Sequence, residues 1–161
     1  MTTKEFNQLV NIKKNLDYKK RTLWTAQVMQ FTQFSIAKFI DDLTSLLAGK
    51  YNVVIHCFWE PGGHVSNSQH YKGLACDFHL ESIEKECSSY KDKIDTITMI
   101  LKELDLEDKV GFGIYPNSNS KFFHIDFRGR RGRWGGLYQK DGSLKQIGFD
   151  EAYELTKELQ I

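Results

Sequence analysis

Two histidines and an aspartate carry most of the chemistry that this chain's sequence offers. His70 and Asp77 lie in Ser68-Gln69-His70-Tyr71-Lys72-Gly73-Leu74-Ala75-Cys76-Asp77, and His124 lies in Phe122-Phe123-His124-Ile125-Asp126-Phe127. Two imidazoles and a carboxylate suit a borderline-soft ion such as Zn²⁺, and three protein ligands leave a fourth position for water. That open position separates a catalytic zinc site from a structural one. Gly73 permits a turn after His70, and the alternating run from Leu74 to Leu80 reads as a strand presenting Asp77 on one face.

The elements that must position these residues follow from periodicity. Ile36, Ile40, Leu43 and Leu47 lie along one face of a helix predicted over Ser35 to Ala48, which Gly49 is placed to end. Tyr51 to Phe58 is β-branched and aromatic enough for a strand, and Trp59 to Lys72 has the composition of a loop. A second helix is expected from Tyr90 to Leu106. Strands are expected over Val110 to Tyr115 and Phe122 to Phe127, joined by the polar turn Pro116 to Ser120. Residues 128 to 148 read as a Gly- and Arg-rich loop, and a last helix starts near Asp150. Residues 1–20 read as polar and weakly structured, with at most a short helix expected around Glu5 to Leu16. This order predicts a single α+β domain over 1–161, its motif-bearing core at 51–134. The sheet is expected to be mostly antiparallel, with helices packed on one face.

Composition sets the class. At 161 residues the chain is long enough for one proper core, and an aromatic share of 13% argues against disorder. A formal net charge of +1 gives no long-range steering toward nucleic acid. Cys57, Cys76 and Cys87, odd in number and without a CxxC, point to free thiols in a reducing compartment. There is no apolar stretch of signal-peptide or membrane-spanning length, which predicts synthesis in the cytoplasm without membrane insertion. A monomer is the favoured state.

On the Phe122 to Phe127 strand, His124 and Asp126 point one way while Phe123, Ile125 and Phe127 point into the core. Laid beside the Leu74 to Leu80 strand, this face meets the one carrying Asp77 and His79. Any single histidine is more often a satisfied surface or core residue, but three convergent ligands are what zinc requires.

The string Ser68-x-His70-x-x-Gly73-x-Ala75-x-Asp77, followed by His124-x-Asp126, resembles the zinc D-alanyl-D-alanine carboxypeptidases and L-alanyl-D-glutamate endopeptidases of bacterial and phage cell-wall turnover. Their superfamily also holds murein endopeptidases and the hedgehog signalling domain. The segment Gly111 to Pro116 and the run Arg128 to Trp134 look like one branch of it. The resemblance spans about Tyr51 to Trp134 and implies a hedgehog/DD-peptidase-like fold. It implies His70, Asp77 and His124 as zinc ligands and Ser68 as a supporting neighbour. Two departures stand out. Many relatives carry an acidic base three positions before the second ligand histidine, where this chain has Lys121. Many also carry Ser-Gly-Tyr-Arg where this chain has His56-Cys57-Phe58-Trp59. Aligned on relatives with His-x-His, Asp126 would bind the metal and His124 would support it.

The resemblance implies a zinc peptidase cutting peptidoglycan, as a carboxypeptidase or endopeptidase. A phage or prophage lysis enzyme, an endolysin released to the wall at lysis, fits this. Asp126, which shares a face with His124, is the first candidate base; a role in orienting a ligand imidazole is the alternative. Glu60 on the adjoining loop is the second candidate, and His79 is a candidate oxyanion partner. Arg128, in the basic run, suits capture of stem-peptide carboxylates, and Tyr115 and Trp134 suit a groove for peptide or sugar. The rival reading is a zinc-retaining, catalytically inactive binding domain of the same fold. A metal-free nucleic-acid binder using the basic loop is weaker on a neutral protein.

Overall fold

The computed structural model describes residues 30–83 and 88–158. The helix expected around Glu5 to Leu16 and Cys87 lie outside them. Three helices and six strands are described: α1 (Phe34–Leu46), β1 (Tyr51–Cys57), β2 (Ala75–Ser82), α2 (Tyr90–Glu103), β3 (Gly111–Ile114), β4 (Phe123–Asp126), β5 (Gly132–Tyr138), β6 (Leu144–Ile147) and α3 (Phe149–Glu158). A 3-10 turn, Gln69–Lys72, precedes β2.

The strands form one sheet in the order β1-β2-β4-β3-β5-β6. Four neighbouring pairs are antiparallel, and β3 with β5 is parallel, so the sheet is mixed. One face carries Val53, Ile55, Phe78, Phe112, Phe123 and Ile125, which share a single core with Ile36, Phe39, Ile40 and Leu43 of α1, Ile94, Ile97 and Leu101 of α2, and Ala152 of α3. The α+β reading and the apolar faces of the first two helices match what periodicity predicts. Among the described residues, no helix is long and apolar enough to cross a membrane.

Residues 128–148 correct the sequence reading. The expected loop contains β5 and β6, and the parallel pairing is theirs. Glycine is a poor strand former when open chain is the alternative, which is why the segment reads as loop. Here its glycines lie under bulky side chains from neighbouring strands. A Cβ on Gly136 would fall 2.6 Å from the Tyr115 ring.

Two local devices place the polar residues. Ser89 caps α2 in a reciprocal box with Asp92. The Tyr90 hydroxyl that follows donates to the Phe122 carbonyl at 2.7 Å and accepts from the Tyr115 amide at 2.9 Å, tying the end of β3 to the start of β4. In β1 the register slips between Ile55 and Cys57, a bulge that sets Cys57 opposite Asp77. Both His56 and Cys57 thereby reach the polar face.

Gly73 ends the 3-10 turn with φ +67°, the left-handed conformation that the turn after His70 needs. A Cβ there would lie 1.9 Å from the Phe31 carbonyl oxygen. Gly142, at φ +82°, has nothing within 4 Å of its Cβ position. Gly142→Ala should therefore lose only the conformational term, about 1 kcal/mol. Gly73→Ala, which adds a backbone clash, should lose more than about 2 kcal/mol. Thermal unfolding checks this: equal shifts in Tm for the two variants would contradict the assignment of strain to Gly73.

Candidate metal centre

His70, Asp77 and His124 come together from three elements. Asp77 on β2 is the direct cross-strand partner of His124 on β4, and His70 arrives from the 3-10 turn. His124 Nδ1 lies 2.7 Å from Asp77 Oδ1, and His70 Nε2 lies 3.3 Å from both of those atoms. Their ligating atoms satisfy the spacing of a metal-binding group. Side-chain exposure rises from 1% at His70 to 15% at Asp77, so the cluster is sealed on the His70 side and open on the other.

The outer hydrogen bonds fix which nitrogen faces inward. His70 Nδ1 lies 2.6 Å from the Phe58 carbonyl oxygen, which can only accept. That nitrogen therefore carries the proton, and Nε2 presents a lone pair. His124 Nε2 donates to Asp126 Oδ2 at 3.0 Å, leaving Nδ1 to face Asp77. Asp77 is steadied from its other oxygen, where Cys57 Sγ donates at 3.5 Å. Oriented imidazoles backed by a carbonyl and a carboxylate are the usual supports of metal-binding histidines. With both outer nitrogens protonated, two lone pairs and a carboxylate oxygen converge within 3.3 Å. A cation is what such a cluster lacks.

Electrostatics agree. Burial disfavours a charged His124, but Asp77 and Asp126 outweigh it and raise its pKa to about 9. Burial likewise pushes Asp77 up, and the charge and hydrogen bonds of His124 and His70 overcome this and hold it well below the usual carboxylate range. Without a metal, a proton on His124 takes the cation's place, and metal uptake must displace it.

Asp126 occupies the supporting position. It is fully buried, and besides His124 it receives the Arg128 guanidinium, Nε at 2.7 Å and Nη2 at 2.5 Å. These bonds overcome burial and lower its pKa to about 2, and they commit both carboxylate oxygens to Arg128 and His124. Arg128, read from sequence as a carboxylate trap for substrate, has an internal carboxylate instead. Its guanidinium lies 4.7 Å over the Trp134 ring, which is 5.3 Å from the His124 ring. Trp134 Nε1 donates to the Tyr115 hydroxyl at 3.1 Å, and Tyr115 is buried against Phe122. Gly111 and Gly113 make this layer fit. A Cβ on Gly111 would sit 2.8 Å from the Asp126 carboxylate, and one on Gly113 would sit 2.6 Å from the indole.

The remaining predicted residues divide. Ser68 supports His70 through the backbone, its hydroxyl accepting from the His70 amide at 3.2 Å. Glu60 pairs with His64 at 3.1 Å, and the His64 ring stacks 4.1 Å from that of His70, which puts a carboxylate at the rim of the cluster. His79 has both ring nitrogens engaged, Nδ1 with His56 at 2.6 Å and Nε2 with Glu81 at 3.3 Å. Donating to an oxyanion would break one of these bonds. Sequence reading passed over Cys57, His56 and His64. The bulge that turns Cys57 inward has no residue signature, whereas His64, in the loop between two functional strings, offered a signal in its spacing from Glu60.

Cys57, His64 and His70 form a second, overlapping group with metal-binding spacing. The His64 and His70 rings are only 10° from parallel, so their in-plane lone pairs do not converge there. The His70, Asp77 and His124 group is the better formed. Replacing His124 with Ala should abolish stoichiometric metal binding. Asp126→Asn should retain the metal with affinity reduced about 10- to 100-fold, the usual effect of a supporting partner. Chelator competition measures both. Complete loss in Asp126→Asn would make Asp126 a ligand.

Comparison of the chain with protein-family models, curated proteins and solved structures finds no match.

Proposed function

We propose that this protein is a zinc metallopeptidase that hydrolyses a peptide bond in bacterial peptidoglycan. The observation that carries the proposal is the inward convergence of His70 Nε2, Asp77 Oδ1 and His124 Nδ1, with their outer atoms already hydrogen-bonded. A nitrogen-rich set with one carboxylate suits zinc over harder ions, and three ligands on a cluster open at one side suit catalysis over structural support. The choice of peptidoglycan follows the motif resemblance, from the Ser68 to Asp77 string to the Arg128 to Trp134 run.

Bound zinc would lower the pKa of its water toward about 7 and polarise the scissile carbonyl. The chain's own residues divide the remaining work. Asp126, clamped by Arg128, keeps His124 in the tautomer that presents Nδ1. The Phe58 carbonyl does the same for His70. Glu60, which pairs with His64 at the rim, is the carboxylate that would accept the water's proton, since both oxygens of Asp126 are engaged by His124 and Arg128. Trp134 and Arg128 roof the His124 side and limit water there.

The inactive binding domain keeps one specific support. Neither Asp126 nor His79 has an uncommitted group for chemistry. A single experiment decides between the two readings. Purified cell walls incubated with the zinc-loaded protein should release new amino groups, with loss on chelation and recovery on adding Zn²⁺. Glu60→Gln should retain zinc and lose about 10²- to 10⁴-fold in rate, the span of general-base catalysis. Zinc-loaded protein that releases nothing from walls of several compositions would support the binding domain.

A further inference from the structure

The loop from Trp59 to Ser68 brings Glu60 and His64 to the rim of the metal centre, and its own sequence does little to fix its shape. Pro61, Gly62, Gly63 and Val65 are all exposed. Turn residues facing solvent make few packing contacts, so the entropy of ordering them must be met by bonds from outside the loop.

Tyr71 supplies such bonds. Its hydroxyl accepts from the His64 amide at 3.0 Å and donates to the His64 carbonyl at 2.6 Å. A hydroxyl can do both at once, so one oxygen satisfies the whole backbone of one residue, as a neighbouring strand would. The two rings also meet edge to face, with centroids 5.9 Å apart.

The residue carrying this hydroxyl follows the ligand His70 directly in the chain. Both belong to the 3-10 turn Gln69–Lys72, which the Ser68 side chain caps at one end. At the other end the Gly73 amide donates to the His70 carbonyl at 2.9 Å. The turn is thus bonded at both ends, and it sets the Tyr71 hydroxyl in a fixed relation to the His70 imidazole. Order passes outward from there. The His64 ring lies 4.1 Å from the His70 ring and 10° from parallel to it, and His64 Nε2 meets Glu60 Oε2 at 3.1 Å. Contact by contact, the place of Glu60 is referred back to His70 through His64 and Tyr71.

We infer that Tyr71 is a positioning residue of the metal centre. Its hydroxyl holds the His64 backbone so that the His64 ring stays stacked on His70 and the Glu60 carboxylate stays at the rim. Its part in turnover rests on the peptidase reading, in which Glu60 accepts the proton of the attacking water. The hold on His64 does not depend on that reading.

Tyr71→Phe removes one oxygen and keeps the ring, and two measurements on the zinc-loaded full chain test it. The first is NMR of the imidazole signals. Each stacked ring lies in the other's ring current, so in Tyr71→Phe the His64 C–H signals should move toward those of an unstacked histidine. Zinc should stay bound and the core methyl signals should stay in place. The second is a double-mutant cycle on the release of amino groups from cell walls. Tyr71→Phe should lower the rate about tenfold, the scale of one net hydrogen bond. It should lower it no further in a Glu60→Gln background, where there is no proton-accepting carboxylate left to place. Unmoved His64 signals in Tyr71→Phe overturn the positioning role. An equal loss of rate with and without Glu60 overturns its action through that carboxylate. Displaced His64 signals in a protein that releases nothing from cell walls uphold the hold on His64 and remove the peptidase reading.

Discussion

The structure turns on a place for one positive charge. His70 Nε2, Asp77 Oδ1 and His124 Nδ1 converge within 3.3 Å, and among the described residues the proton on His124 is what holds the three together. A folded chain keeps such an arrangement only if a positive charge enters it, as a proton or as a metal ion. Several other features of this face serve to keep those three atoms aimed inward. The Phe58 carbonyl and the Asp126 carboxylate take the outer imidazole protons. Arg128 holds Asp126, and the Cys57 thiol steadies Asp77. A mixed sheet with its core on one side leaves the opposite face free to carry this polar layer.

The layer also explains an odd feature of composition. Glycines at 111, 113 and 136 alternate with core residues along two neighbouring strands, so each falls on the polar face. The side chains that cross those gaps are the carboxylate, guanidinium, indole and phenol surrounding His124. Bulk is removed from one strand so that function can lie flat over it.

How far this was legible in the sequence depends on where each constraint is written. Asp77, His124 and Asp126 were readable because strand alternation puts acid and imidazole on one face and aromatics on the other, and His70 because of its place in the Ser68 to Asp77 string. The first two helices were readable for the same reason at helical spacing. Strands β5 and β6 were not, because glycine and arginine are loop-like in isolation and only a neighbour's side chain gives the glycines their purpose. The choice between His124 and Asp126 as ligand could not be made from the pattern His-x-Asp alone. The pattern also does not show the Arg128 fork, which engages both oxygens of Asp126 while His124 Nδ1 faces Asp77. Cys57 was hidden by the bulge after Ile55, which turns it onto the same face as His56 and opposite Asp77.

X-ray absorption at the zinc edge of the metal-loaded protein tests the central claim most directly. The account predicts one zinc per chain, with only nitrogen and oxygen neighbours at about 2.0–2.2 Å and the scattering pattern of two imidazoles. A sulfur neighbour at about 2.3 Å would place the ion on Cys57 instead, and a chain that takes up no metal would contradict the account altogether.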